Sequence, residues 1–334
     1  MASFLFAVQL LGTATAFAAP LLDRILRTVV GGDASALGLS WLAAYVLGNG
    51  SVVAALALSL ATARLLDPSQ LFLMVVGSRL GATAIVVFVG ALDYVQKRRY
   101  SLGDSLGLGL LAFLTTYAVY LPVVVLGYLL LPALRARVPA STVTPASTSL
   151  PTPFGGLTDS VVHVVGPTLL FPLAVVLLFG GLRLFDRVFS RVDTQWLRDN
   201  YVELLGSRWV SFGVGFGVTM LSTSVAFSLG VLVPLYNRGY VKRRELVPYL
   251  MGANVGTLAD TLVVAAVLGD PVGVRTVVGV IALSAAVTLL YLAAYPRFFA
   301  LVDRSYVRVA TDRTVLAAFL TVLVLTPAAL LLVR

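Results

Sequence analysis

The sequence predicts an all-α polytopic membrane protein with two inverted-topology repeats, comprising about seven transmembrane helices and two re-entrant hairpins. Three observations predict it. Charge is scarce: 12% of the 334 residues are charged and 59% are apolar, with a mean hydropathy of +0.97, whereas an ordinary soluble domain is about 25% charged. The apolar residues form long uncharged runs instead of alternating patterns, which selects a helical bundle over a barrel. The third observation is an internal repeat whose flanking charges place its two copies in opposite orientations.

Taken in order, residues 2–22 form the first span. They end near Ala16-Phe-Ala-Ala-Pro20, which looks like a signal cleavage site, but no basic region precedes them and a counterpart recurs later, so a membrane helix is expected. Run 34–63 is too long for one upright crossing and is interrupted by Gly48-Asn49-Gly50-Ser51, which suits a re-entrant hairpin. Spans follow at 68–92, interrupted only by Arg79, and at 105–134. Each span can cross ~30 Å of hydrocarbon.

Residues 138–160, rich in Ser, Thr and Pro, read as an exposed linker. Beyond it lies a span at 160–182, and the Arg-rich 183–208 stretch reads as an amphipathic surface helix. The second interrupted run, 209–237, is broken at Ser222-Thr223-Ser224. The remaining spans are 246–269, interrupted only by Asp260, then 276–296 and 314–333. The expected domains are a first transport repeat (1–137), the linker (138–160), a second repeat (161–300) and a C-terminal transmembrane helix (301–334).

The repeat is visible in two places. Leu21-Leu-Asp-Arg-Ile-Leu-Arg27 matches Leu184-Phe-Asp-Arg-Val-Phe-Ser-Arg191, and Gly77-Ser-Arg-Leu-Gly-Ala82 matches Gly252-Ala-Asn-Val-Gly-Thr257. With both interrupted runs as hairpins and a cytoplasmic N-terminus, 16 cations fall inside and seven outside, as the positive-inside rule requires. The cations, 24 against 15 acids, are therefore topology signals in short loops, and nucleic acid is excluded as a partner. Absence of cysteine excludes disulfides and thiolate sites. The single histidine, His163, excludes a histidine cluster and reads as an interfacial residue. Trp41, Trp196 and Trp209 read as interface anchors or packing residues.

The second repeat runs Gly215-Phe-Gly-Val-Thr219-Met-Leu-Ser222-Thr223-Ser224-Val225-Ala226, then Pro234, Pro248 and Gly252-Ala-Asn-Val-Gly-Thr257. This resembles the sodium/phosphate cotransporter family, the type II symporters and their bacterial relatives. Repeats of that family carry a Gly-x-x-x-Thr-x-x-x-Gln-Ser-Ser-Ser hairpin tip, a proline, and a Gly-Ala-Asn-Ile-Gly-Thr-Thr turn. The likeness covers about residues 3–300, and Gly252–Thr257 is its most specific piece. Each tip here keeps one serine in register, and Arg79 stands where the motif has asparagine.

The resemblance implies sodium-coupled symport of inorganic phosphate across the cell membrane, with sodium as coupling ion, no other cofactor and no catalysis. A helix break at mid-membrane would present unpaired N–H groups and a positive dipole end to an anion. Gly48, Asn49, Gly50, Ser51, Arg79, Ser222, Thr223 and Ser224 are accordingly the expected substrate-binding residues. Asn254, Thr257 and Thr261 share a helix face and, with Asp260, are the expected sodium ligands. Arg79 and Asp260 are the two charges embedded in spans, and inverted symmetry should bring them together, with Arg79 either facing the anion or replacing a bound cation. The alternatives are transport of another small anion, coupled to sodium, to protons or to no ion, and a non-transporting membrane scaffold that has lost the site.

Overall fold

In a bilayer every backbone N–H and C=O must be satisfied within the protein, and a chain this poor in charge meets that demand with helices. The computed structural model describes residues 2–97, 102–137, 154–189, 205–223 and 240–333, besides positions 232 and 236. Among the described residues there are thirteen helices and no strand. The first half contains α1 (Ala2–Val29), α2 (Asp33–Leu47), α3 (Gly50–Thr62), α4 (Pro68–Lys97) and α5 (Leu102–Arg137). The second contains α6 (Gly155–Val165), α7 (Pro167–Phe189), α8 (Arg208–Ser222), α9 (Arg243–Gly256), α10 (Leu258–Leu268), α11 (Pro271–Ala293), α12 (Tyr295–Thr311) and α13 (Arg313–Leu332).

Among the described residues five segments are long and apolar enough to cross a membrane: Ala2–Val29, Gly107–Leu130, Arg243–Leu268, Pro271–Ala293 and Arg313–Leu332. Their outward faces carry large bare apolar side chains, Leu129, Leu290 and Leu325 among them. That is the surface of an all-α membrane protein, since lipid tails take the place that water would penalise.

The break between α2 and α3 has a local cause. Gly48 ends α2 with φ 66°, a left-handed conformation that glycine adopts without strain. Asn49 then caps α3, its Oδ1 accepting from Ser51 N at 2.9 Å and Val52 N at 3.2 Å. In the second half α8 ends the same way, with Thr223 at φ 51°. A shift of 175 residues carries α2 onto α8 end to end, Gly48 onto Thr223, and Pro68 at the start of α4 onto Arg243 at the start of α9.

The helix pairs that follow are packed alike. A Cβ at Gly77 would meet Leu37 O, and one at Gly81 would overlap Trp41 O. The same shift gives Gly252 against Phe212 O and Gly256 against Phe216 O. Small residues at these four positions let α4 lie on α2, and α9 on α8, at backbone contact, the usual way helices associate where water supplies no driving force.

The structure corrects several boundaries. The linker ends earlier than expected: residues 155–160 already belong to α6, while 138–153 lie outside the described residues. The 160–182 run is two helices, because Gly166 (φ 74°) and Pro167 interrupt it. Of the expected amphipathic stretch, residues 183–189 continue α7 and 190–204 lie outside the described residues. An amphipathic helix does occur at α12, which buries Tyr295, Phe298, Val302, Tyr306 and Val309 at spacings of three and four. It is fastened by Arg243, 3.2 Å from Asp303 and 4.6 Å from the Tyr306 ring centroid. Residues 301–311 thus belong to this helix and not to the C-terminal span. Trp41 is a packing residue, its indole N–H donating to Tyr45 Oη at 2.7 Å. Trp209 is exposed, and Trp196 lies outside the described residues.

The contrast within α8 and α9 is testable. Gly252→Ala forces a Cβ into Phe212 O and should lose about 1–3 kcal/mol of stability. Gly217→Ala, with no atom within 4 Å, should be neutral or gain up to about 1 kcal/mol. Thermal unfolding of both variants in one detergent checks this ordering.

Candidate functional site

The site grows from one charged side chain placed at the middle of α4. Arg79 follows Ser78 in a helix that packs closely on α2 and α3, and it is 5% exposed. Across from it, Asp260 occupies the first turn of α10, where the helix dipole favours a carboxylate, and is 2% exposed. Arg79 Nη2 lies 3.2 Å from Asp260 Oδ1. Two charges that would each cost at least ~2.5–3.5 kcal/mol at a membrane centre thus neutralise one another.

Hydroxyl groups complete the cluster. Arg79 Nη1 donates to Thr257 Oγ1 at 3.4 Å, and Nη2 also donates to Thr261 Oγ1. Thr261 Oγ1 donates to Asp260 Oδ1 at 2.8 Å, and Ser51 Oγ donates to Asp260 Oδ2. Five of the expected residues, Ser51, Arg79, Thr257, Asp260 and Thr261, therefore meet at one point. They come from α3, α4, the α9–α10 junction and α10.

Asn254, one turn before Thr257, is held from the other side. Its Oδ1 lies 2.9 Å from Thr116 Oγ1, and its carbonyl accepts from Tyr120 Oη at 2.8 Å. Two buried N–H groups at this cluster, Arg79 Nε and Asn254 Nδ2, have no acceptor among the described residues. The 175-residue shift that relates α2 to α8 also carries position 79 onto 254.

Other expected residues behave differently. The N–H groups at the start of α3 are not free for a ligand, because the Asn49 side chain already occupies those of Ser51 and Val52. Gly48 is exposed with no atom within 4 Å of a built Cβ, so it serves the turn and not a close approach. Gly50 does serve one, its Cα facing Ser78 O where a Cβ would sit at 2.6 Å. Ser222 is buried at the end of α8, Thr223 makes the left-handed cap, and Ser224 lies outside the described residues.

Sequence reasoning did not find Thr116 and Tyr120. Their signal was present, a polar Thr115-Thr116-Tyr117 patch inside a run otherwise apolar. A second hydroxyl pair, Thr15 Oγ1 to Ser59 Oγ at 2.6 Å, joins α1 to α3 and was also missed.

The fold and this cluster define a polytopic membrane protein with a charged, hydroxyl-lined centre. Residues 177–302 match the model of a family described as Na+/Pi-cotransporter. The matched segment includes Asn254, Thr257, Asp260 and Thr261. No curated protein and no solved structure matches the chain.

Removing one partner of a buried ion pair leaves the other charge uncompensated, at a cost of about 3–5 kcal/mol. Arg79→Ala and Asp260→Ala should each lose roughly that much, whereas Arg79→Met with Asp260→Leu should recover most of it. Comparison of the three melting temperatures with the parent tests the pair.

Proposed function

We propose that this protein is a secondary transporter that carries inorganic phosphate together with sodium, built as seven spans and two re-entrant hairpins in inverted-topology repeats. The repeat reading is supported by the common 175-residue shift in helix ends, left-handed caps and glycine contacts. The family match supports phosphate and sodium as the transported pair.

One observation carries the oxyanion reading: Arg79 is a fully buried cation that keeps an N–H without an acceptor. An oxyanion leaving water must exchange its shell for fixed donors, and a guanidinium N–H is among the strongest available. The second amide atom of Asn254, also buried and unpartnered, offers a further group at the position related to Arg79 by the repeat shift. Alternating access then follows from moving one repeat against the other around this cluster.

Phosphate uptake into proteoliposomes under an inward sodium gradient tests the reading. The parent chain should accumulate phosphate, and Arg79→Ala should not. Ser51→Ala removes a hydrogen bond to a charged group, worth ~1.5–3 kcal/mol, and should weaken apparent phosphate affinity about tenfold or more. Uptake of another oxyanion in place of phosphate, or of none, overturns phosphate as the substrate. Normal uptake by Arg79→Ala moves the site elsewhere.

A further inference from the structure

The oxygens at the start of α10 form a cation cage. Asp260 supplies a carboxylate, and Thr257 and Thr261 supply hydroxyls from the same turn, a hard oxygen set of the kind that holds a small alkali ion. All three face a cation that is already there, since the two Nη groups of Arg79 reach every one of them. We infer that the guanidinium of Arg79 takes the coupling-ion place of this cluster, so that Thr257, Asp260 and Thr261 hold a tethered cation instead of sodium. The inference rests on the transporter reading above and fixes the ion side of that same site: sodium that drives uptake binds outside these oxygens.

Two further observations carry it. The first is how the chemistry divides between the halves. Shifting Thr257, Asp260 and Thr261 back by 175 residues gives Ala82, Ile85 and Val86, which offer no side-chain oxygen, while the same shift relates Arg79 to Asn254. At these related positions one half supplies the cation and the other the oxygens, and with the Ser51 hydroxyl of the first half on the remaining Asp260 oxygen, the three oxygen-bearing residues are met by an arginine. The second is charge balance. Among the described residues Asp260 is paired with Arg79, and no group of three or more acidic or histidine side chains gathers there or elsewhere. Adding sodium would place a second positive charge in a low-dielectric site with a single carboxylate, a desolvation cost that nothing there offsets.

Removing the tether should therefore create sodium dependence. Arg79→Asn installs the residue found at the related position 254 and leaves the Asp260 cage open. In purified full-length protein, sodium in place of choline at equal ionic strength should raise the melting temperature of Arg79→Asn by about 3 °C or more. Arg79→Asn with Asp260→Asn should lose that increment. An Arg79→Asn chain that folds in sodium but not in choline gives the same answer.

A folded Arg79→Asn protein without the sodium increment overturns the inference, as does one that fails to fold in both salts while the double variant folds. The parent chain gives a second measurement that needs no variant. Hydrogen exchange over residues 254–268 should be the same in sodium and choline, and sodium-dependent protection of that segment overturns the inference. Failure of phosphate uptake would instead count against the substrate reading, because none of these sodium measurements involves phosphate.

Discussion

A buried arginine and a buried aspartate, 3.2 Å apart, set the terms for the rest of this structure. In a low-dielectric interior neither charge is tolerable alone, and neither can turn to water. The segments that carry them must therefore arrive at one place, which fixes α4 of the first half against α10 of the second. Ser51 on the spare carboxylate oxygen draws in the first turn of α3. Asn254, one turn from Thr257, draws in α5 through Thr116 and Tyr120. Five helices from both halves, α3, α4, α5, α9 and α10, are thus referred to one electrostatic point.

What lets them reach it is the absence of bulk. Membrane helices gain little from excluding lipid, so their separation is set by how closely backbones can approach. Glycines at 77 and 81 bring α4 onto α2, and glycines at 252 and 256 bring α9 onto α8, through the same carbonyls after a shift of 175 residues. The glycine contacts recur at this shift while the chemistry beside them does not. Equivalent positions hold Arg79 and Asn254, and the oxygens of the second half face Ala82, Ile85 and Val86 in the alignment of the first. Unlike side chains at positions 175 residues apart, Arg79 and Asn254, thus stand on helices with the same close contacts.

Much of this was legible because charge in an apolar run is conspicuous. Arg79 and Asp260 stood out for that reason, and so did the Gly48-Asn49 break, where a left-handed glycine and a capping side chain are written into adjacent letters. What escaped the reading was polar but uncharged, or punctuated without charge. Thr116 and Tyr120 sit inside a long apolar run, and their value depends on Asn254, 138 and 134 residues away. Gly166-Pro167 splits a run that looked continuous when only charges were counted. The amphipathic α12 is hard to see in the sequence because its arginines fall between two apolar spans, where they resemble loop charges. Asn49 is legible as part of a break, but not the capping by which its side chain occupies the N–H groups of Ser51 and Val52.

The pair also constrains how such a molecule can move. Separating a buried ion pair costs several kcal/mol, which is as large as the gap between the two conformations that a working protein usually populates. If one half rocks against the other, contacts far from Arg79 and Asp260 can be exchanged for others of like strength, since lipid-facing and small-residue contacts are numerous and individually weak. The contact between those two residues is harder to exchange, because among the described residues the ion-pair partner of Arg79 is Asp260. Rearrangement is therefore cheapest when its axis passes close to the pair, so that α4 and α10 turn about it while the outer helices travel furthest. A freely diffusing ion could be released and rebound to relieve the same restraint. A cation covalently fixed to α4 cannot leave, so the restraint it places on Asp260 is permanent.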